Sequence, residues 1–385
     1  MRFLKANRIF NGKIFLPENS VLVLNEQNNL IEILSESKIS DQTVEFFEGI
    51  ITPGFVNAHC HLELSYLADK LPVKTGLVNF IINIIKQRQL EYKREQIIES
   101  AFNADLEMWQ NGIVVVGDIS NSADSFKIKQ NSKIKYHTFL EVIGLNPNNR
   151  SKIFDNALLL VNQLRELKLN GSLAPHAPYS TSLDLIQQIA HFNRENNLPV
   201  SIHNQETEEE AKFFFGIEND FKKLYEFIKA DISFFKAPNC SSLSAYLPYF
   251  NNQKAILVHN TFSAQADIQE AAAKNCFFCF CPNANLFIEN KLPDYSIFKS
   301  YTNNLCLGTD SLASNYKLDI LSEANLILKH TNTFSLENML QMLTFNGALA
   351  LNLHDSFGQL LINKNTGLNL ISFIDSEIKL IKKII

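Results

Sequence analysis

Pro53-Gly54-Phe55-Val56-Asn57-Ala58-His59-Cys60-His61-Leu62-Glu63 is an apolar run that ends in two histidines separated by one residue. In a β-strand alternate side chains share a face, so His59 and His61 point the same way. Two imidazoles converging at the mouth of a strand supply half of a borderline-soft metal site. An isolated His-x-His is as readily a pair of ordinary core or surface histidines, so the other half must come from elsewhere in the chain.

Outward from this stretch the texture alternates between apolar strands and amphipathic helical segments, the pattern of βα units. Strands are predicted at 50–58, 112–119, 134–142, 171–175, 199–203, 255–259, 276–281 and 305–308, with helices at 96–110, 155–167, 182–196 and 336–351. Eight strands with intervening helices predict an α/β fold, a (β/α)₈ TIM barrel. His61 and His203 lie 142 positions apart, roughly 35 residues for each of four units, a normal length for a barrel repeat. His203 and His259 are 56 apart, so an insertion is predicted there, with a helix over 208–225. Long insertions after barrel strands shape the substrate mouth.

The chain ends differ from the middle. Residues 20–24 and 30–34 read as short strands, and 358–362 and 368–373 have the same character. The two ends are therefore expected to pair into one small composite β-sandwich domain, residues 1–50 with 356–385, beside the barrel over 51–355.

Composition narrows the partners. The 385 residues are 46% hydrophobic and 19% charged, with a net charge of −5, an ordinary globular balance able to bury a large core. A pI near 6.0 lacks the basic footprint of a nucleic-acid binder, which leaves a small molecule as the expected partner. Six cysteines without regular spacing form no small-protein disulfide framework and read as reduced thiols of a cytoplasmic protein. The N-terminus shows no signal-peptide pattern, and no segment approaches eighteen consecutive apolar residues, so no membrane association is expected.

Of nine histidines, His59, His61, His176, His203 and His259 fall at the C-terminal ends of predicted strands, and His137, His191, His330 and His354 do not. In a barrel those ends open on one face, where active sites are found. Asp310, in Leu305-Cys306-Leu307-Gly308-Thr309-Asp310, brings a carboxylate to the same face. Three imidazoles and one carboxylate, His59, His61, His203 and Asp310, suit a catalytic divalent metal with a position left for water. Glu206, three residues past His203, is placed to carry a proton from that water to a leaving nitrogen.

Five stretches in order, 53–63, Ala174-Pro175-His176-Ala177-Pro178-Tyr179-Ser180, His203-Asn204-Gln205-Glu206-Thr207, Cys281-Pro282-Asn283-Ala284-Asn285 and 307–315, resemble the amidohydrolase superfamily. More narrowly they resemble its single-metal deaminase and chlorohydrolase branch, over nearly the whole chain. The resemblance implies metal ligands at His59, His61, His203 and Asp310, a proton shuttle at Glu206, and a water-polarising histidine at His259, with Asp310 doubling as a base. Two-metal relatives carry a carboxylated lysine at the end of strand four; Pro175-His176 stands there instead, which implies one metal and a substrate contact for His176. The implied reaction is addition of water to a ring carbon bearing an exocyclic amine, with release of ammonia. Zinc is the expected ion, and a nitrogen-rich site also accepts iron or manganese. A homodimer is the family's habit.

Glu63 shares the face of His61 if the strand continues, and in this branch that loop meets substrate, so a substrate contact is expected there. Glu141 is expected to be a second polar contact. Arg150 reads as a solvated surface residue. Cys276 and Cys279, spaced as Cys-x-x-Cys, lack a second ligand pair and read as core thiols. The insertion, with Phe213-Phe214, 231–235 and 241–247, is similar to the mouth region of aminofutalosine and methylthioadenosine/adenosylhomocysteine deaminases. That implies an adenine-type nucleoside. Guanine or pterin deamination, dechlorination and cyclic amide hydrolysis stand as alternatives within the superfamily, and an inactive barrel serving as a binding scaffold stands as one of another class.

Overall fold

Gly54 is the point at which the chain leaves one sheet for another. The computed structural model describes residues 1–39 and 42–385. The first four strands, β1 (Arg2–Ile9), β2 (Ser20–Leu24), β3 (Leu30–Ser35) and β4 (Val44–Pro53), precede that glycine. The next eight follow it: β5 (Phe55–Cys60), β6 (Ile113–Ser120), β7 (Lys135–Val142), β8 (Asn170–Pro175), β9 (Val200–Asn204), β10 (Ala255–His259), β11 (Cys276–Phe280) and β12 (Leu305–Leu307). A final hairpin, β13 (Leu368–Ile374) and β14 (Glu377–Lys383), ends the chain.

The strand predicted at 50–58 is therefore two strands. The Gly54 N–H donates to Gly367 O (3.0 Å) and the Phe55 N–H to Gly112 O (2.9 Å), so hydrogen bonding passes from one sheet to the other within one residue. A Cβ at Gly54 would lie 2.5 Å from Val114 Cγ1, which is why the switch occurs at a glycine.

β4 is the centre of a six-stranded mixed sheet in the order β14-β13-β4-β1-β2-β3. It runs parallel to β1 on one edge and antiparallel to β13 on the other. Both chain ends thus share one sheet, and the expected sandwich of two facing sheets is corrected to this arrangement, because both edges of β4 are filled from within it. Residues 358–362 are not a strand: Gly358 is left-handed at φ +78°, and the segment meets the sheet through single bonds such as Leu360 N–H to Asn11 O at 2.9 Å. The strand that completes the sheet is β14, folded back on β13 through Asp375 and Ser376, both with positive φ.

β5-β6-β7-β8 and β12-β11-β10-β9 form two four-stranded sheets, parallel throughout. Every residue of β5, β6, β9, β10 and β11 is buried, as expected of parallel strands covered on both faces. The sheets meet at two seams. At one, the His203 N–H donates to His176 O (3.0 Å); at the other, Thr309 and Asp310 N–H both donate to His59 O (3.0 and 3.1 Å). Helices alternate with the strands, including Arg94–Gln110, Arg150–Glu166 and Leu183–Glu195. The helix expected over 336–351 breaks at Thr344, whose φ/ψ of −132°/−92° is outside the helical region and whose hydroxyl turns back to Leu340 O. The one expected over 208–225 is likewise two, Glu208–Phe214 and Phe221–Phe227, parted by left-handed Gly216.

Gly308, between β12 and Asp310, carries a strict packing demand: a Cβ there would stand 2.7 Å from His59 Cβ and 2.9 Å from Cys279 Sγ. Gly308→Ala is therefore expected to lower stability by about 1–3 kcal/mol, the usual range for overpacking a filled core, measured by urea unfolding.

Candidate metal centre

The C-terminal ends of the parallel strands place the candidate side chains together. His59 lies in β5 with His61 just beyond it, His176 follows β8, His203 lies in β9, His259 ends β10, and Asp310 follows β12. The Nε2 of His61 is 3.2 Å from His59 Nε2 and 3.4 Å from His203 Nε2. Asp310 Oδ1 is 3.3 Å from His61 Nε2 and 3.6 Å from His59 Nε2. All four donor atoms lie within 4.8 Å of one another and all four residues are buried.

The electrostatics fit a cation. Burial pushes the imidazole of His61 down to about 4, Asp310 opposing, and burial likewise holds His203 well below its ordinary range. Neutral imidazoles keep their lone pairs for ligation. Burial alone would raise the Asp310 carboxyl; the hydrogen bond with His59 and the fields of His61 and His259 outweigh it and hold the group ionised. Three imidazole nitrogens and a carboxylate facing one another at these separations form a donor set completed by a divalent ion.

Each group is oriented from behind. His203 Nδ1 donates to His176 O (2.7 Å), which directs Nε2 into the cluster. Ser314 Oγ donates to Asp310 Oδ2 (2.5 Å). His259 Nδ1 pairs with Asn285 Oδ1 (2.8 Å), leaving Nε2 to face Glu206 Oε1 at 3.5 Å. His259 and Asp310 both hold left-handed backbone, φ +75° and +56°, an uncommon conformation for such residues and one that clusters at functional sites.

A cavity of about 220 Å³ opens on this cluster, lined among others by His176, Glu141 and Glu206. Burial drives the Glu206 carboxyl well above its usual range, with Asp310 adding to the effect, which favours its protonated form. Glu141 takes Asn121 Nδ2 on Oε2 (2.6 Å), while its buried Oε1 has no hydrogen-bond partner. Burial works to raise its pKa, and His176 and His61 more than offset that, keeping it an acceptor. The outer wall is apolar. Leu77, Phe80, Ile81, Ile84 and Ile85 line it from one face of the helix Leu77–Arg88, and Leu224 and Ile228 line it from the insertion.

The residues predicted from sequence for the metal, the acid and the water-facing histidine meet at this centre, with His176 and Glu141 on the cavity wall. Glu63 does not reach it. The strand ends at Cys60 and Leu62–Leu67 turns into a 3₁₀ helix, so the alternation that would have carried Glu63 to the face of His61 stops. Its Oε2 accepts the N–H groups of Asn121 (3.0 Å) and Ser122 (3.2 Å), and Arg88 stands 3.6 Å away. Arg150 lies at the start of its helix beside Asp184 at 3.9 Å, outside the cavity. Asn121, Asn285 and Ser314 were not predicted to act; the last two sit inside motifs already quoted, whereas nothing local marks Asn121. Cys276, Cys279 and Cys281 are buried free thiols, as expected.

A sequence profile of the amidohydrolase family matches residues 50–383. The chain belongs to that family. The 5-methylthioadenosine/S-adenosylhomocysteine deaminase of Pyrococcus abyssi is 26% identical over 349 residues, 86% of this chain and 76% of that protein. Among solved structures, the Helicobacter pylori aminofutalosine deaminase in complex with methylthio-coformycin matches with a TM-score of 0.83 at 23% identity, covering 100% of both chains. An adenosine deaminase from Xanthomonas campestris with bound zinc matches with a TM-score of 0.75 at 20% identity, over 97% of this chain and 85% of that one. This amidohydrolase shares their fold. Among the described residues no helix is long and apolar enough to cross a membrane.

The roles of Glu63 and Arg150 separate in stability. Glu63→Ala strips two half-buried amides of their acceptor and is expected to cost about 1–3 kcal/mol, whereas Arg150→Ala, at a half-exposed pair, should stay within about 0.5 kcal/mol of wild type; chemical denaturation of both variants checks the contrast.

Proposed function

We propose that this amidohydrolase is a hydrolytic deaminase of adenine-type nucleosides, working with one divalent ion, zinc in the first instance. The observation that carries the reading is the convergence of His59, His61, His203 and Asp310 with a buried Glu206 on the lining of one cavity. On this reading the two parallel sheets are halves of one closed (β/α)₈ barrel, supported by the hydrogen bonds at both seams. Residues 1–50 and 356–385 make up the companion β unit and 51–355 the hydrolase barrel. The six free cysteines favour a reducing, cytoplasmic setting.

His59, His61, His203 and Asp310 would hold the ion. A divalent ion in such a site supplies a Lewis acid and brings the pKa of water toward neutrality. Glu206 starts the reaction protonated and gives its proton to the ring nitrogen as water adds to the amine-bearing carbon. Left ionised, it takes the remaining hydroxyl proton of the adduct and passes it to the departing amine, which leaves as ammonia as the C–N bond breaks and the C=O forms. The proton held by His259 then returns to Glu206 across 3.5 Å. His259, whose Nδ1 is committed to Asn285, presents Nε2 as the acceptor for the water's proton, and Asp310 lies beside it as a second acceptor. His176, with Nδ1 held by Ser180 Oγ at 2.6 Å, offers its other nitrogen to the heterocycle. The unpartnered Glu141 Oε1 is the acceptor for a hydroxyl or N–H of the substrate, since an unpaired buried carboxylate oxygen is costly.

The apolar outer wall selects the sugar's far end. Ile81, Ile84 and Ile85 line the cavity with Leu224 and Ile228, and Arg88 of the same helix stands 3.6 Å from the Glu63 carboxylate, so an uncharged apolar 5′ substituent is favoured there over a hydroxyl or a phosphate.

Metal analysis of the purified protein should give about one equivalent, and Glu206→Gln should keep it while losing at least about 100-fold in ammonia release; an active Glu206→Gln enzyme would remove Glu206 from the mechanism. Across adenosine, 5′-deoxyadenosine and 5′-methylthioadenosine, kcat/KM is expected to rise with the apolar 5′ group, about fourfold for each methylene-sized increment buried. Absence of turnover with every adenine nucleoside, aminopurine and aminopterin tried would reject deamination.

A further inference from the structure

The interior beneath the centre holds an ion pair that the chemistry above does not use. Asp118 of β6 and Lys129 of the helix Phe126–Asn131 are buried side chains with no exposed surface, and Lys129 Nζ lies 2.5 Å from Asp118 Oδ2. We propose that this pair is a positioning device for His61: Asp118 holds the backbone just past that ligand, and Lys129 holds Asp118.

The argument begins with an unfilled helix end. His61 stands at the N-cap of the 3₁₀ helix Leu62–Leu67, with φ −123° and ψ 79°, and its side chain makes no capping bond because it is turned to the metal centre. The first N–H groups of a helix need an acceptor from elsewhere. Asp118, in register with Cys60 across the β5/β6 pair, provides it: the Leu62 N–H donates to Asp118 Oδ1 at 2.7 Å. A carboxylate from the neighbouring strand therefore replaces the cap that His61 cannot supply while it serves as a ligand.

Such a carboxylate is stable only if its charge is met. Lys129 Nζ meets it and spends its remaining protons on Ser120 Oγ (2.8 Å) and Thr138 Oγ1 (3.2 Å), while Ser120 Oγ donates to Asp118 Oδ2 (3.2 Å). Charge and hydrogen bonds both close within the cluster. The chain of contacts then runs Lys129, Asp118, Leu62 N–H, His61. Partners behind a metal ligand typically change metal affinity 10–100-fold when removed. The inference rests on His61 being a ligand, as proposed above.

The test compares two charge-neutral double variants with wild type, using full-length protein stripped of metal and zinc competition against a chromophoric chelator. Asp118→Leu with Lys129→Met removes the acceptor and replaces the ion pair by apolar groups of similar size, an exchange interiors tolerate. Asp118→Asn with Lys129→Met removes the charges and keeps an oxygen for Leu62. The leucine variant is expected to bind zinc about 10–100-fold more weakly while remaining folded without metal, and the asparagine variant to stay within about threefold of wild type. Equal loss in both, or loss in neither, overturns the proposal. Hydrogen exchange on wild type provides a reading that needs no variant: the Leu62 amide should be as protected as the amides of β6, and exchange at the rate of an open loop would overturn the proposal. Wild-type protein that takes up no zinc would overturn the ligand set itself, and this proposal with it, whereas normal zinc binding in the leucine variant overturns the positioning role alone.

Discussion

Three imidazoles and one carboxylate with donor atoms within 4.8 Å of one another are the constraint around which this molecule is arranged. Their lone pairs repel, their burial strips them of water, and left alone such groups would turn apart or take up protons. What prevents this is a set of outer bonds, each from a different element: the His176 carbonyl to His203, Ser314 to Asp310, Asn285 to His259. The centre exists because five strand ends are delivered to one place and locked there from behind.

Part of that lock is backbone strain. Gln205, His259, Asn260 and Asp310 all adopt positive φ, at roughly 1–3 kcal/mol each for conformations of this kind. They fall where the chain leaves a parallel strand and must turn sharply to keep a side chain in the mouth. The rigid, fully buried strands beneath make that strain bearable, and Gly308, pressed against His59, removes any slack between β12 and β5.

The convergence of His59, His61, His203 and Asp310 could be read from the chain because a strand end is a local feature: each lies at the end of an apolar run whose length and composition mark it as buried. The eight parallel strands were legible for the same reason. Glu63 was misplaced because period-two reasoning holds only while the strand lasts, and this one ends at Cys60. The division at Gly54 was hidden because apolar residues continue across it and the change of hydrogen-bonding partner leaves no mark in composition. β14 was missed because Glu377–Lys383 alternates charge with apolar residues at a sheet edge, where burial is slight. Asn121, Asp118 and Lys129 make their contacts between different elements, as where Lys129 of a helix reaches Asp118 and Ser120 of β6, and no strand or helix period carries such a contact.

The sharing of β4 between the two chain ends has a consequence during synthesis. β4 is complete at Pro53, but its partner β13 begins at Leu368, and at about 5–20 residues per second on a ribosome the interval between them is on the order of 15–60 s. Throughout that time one edge of β4 is an unpaired ladder next to apolar Ile50 and Ile51, the kind of surface that recruits other chains. A nascent chain of this protein is thus most vulnerable to aggregation before β13 and β14 emerge, and a truncation within β13 would leave that exposure permanent.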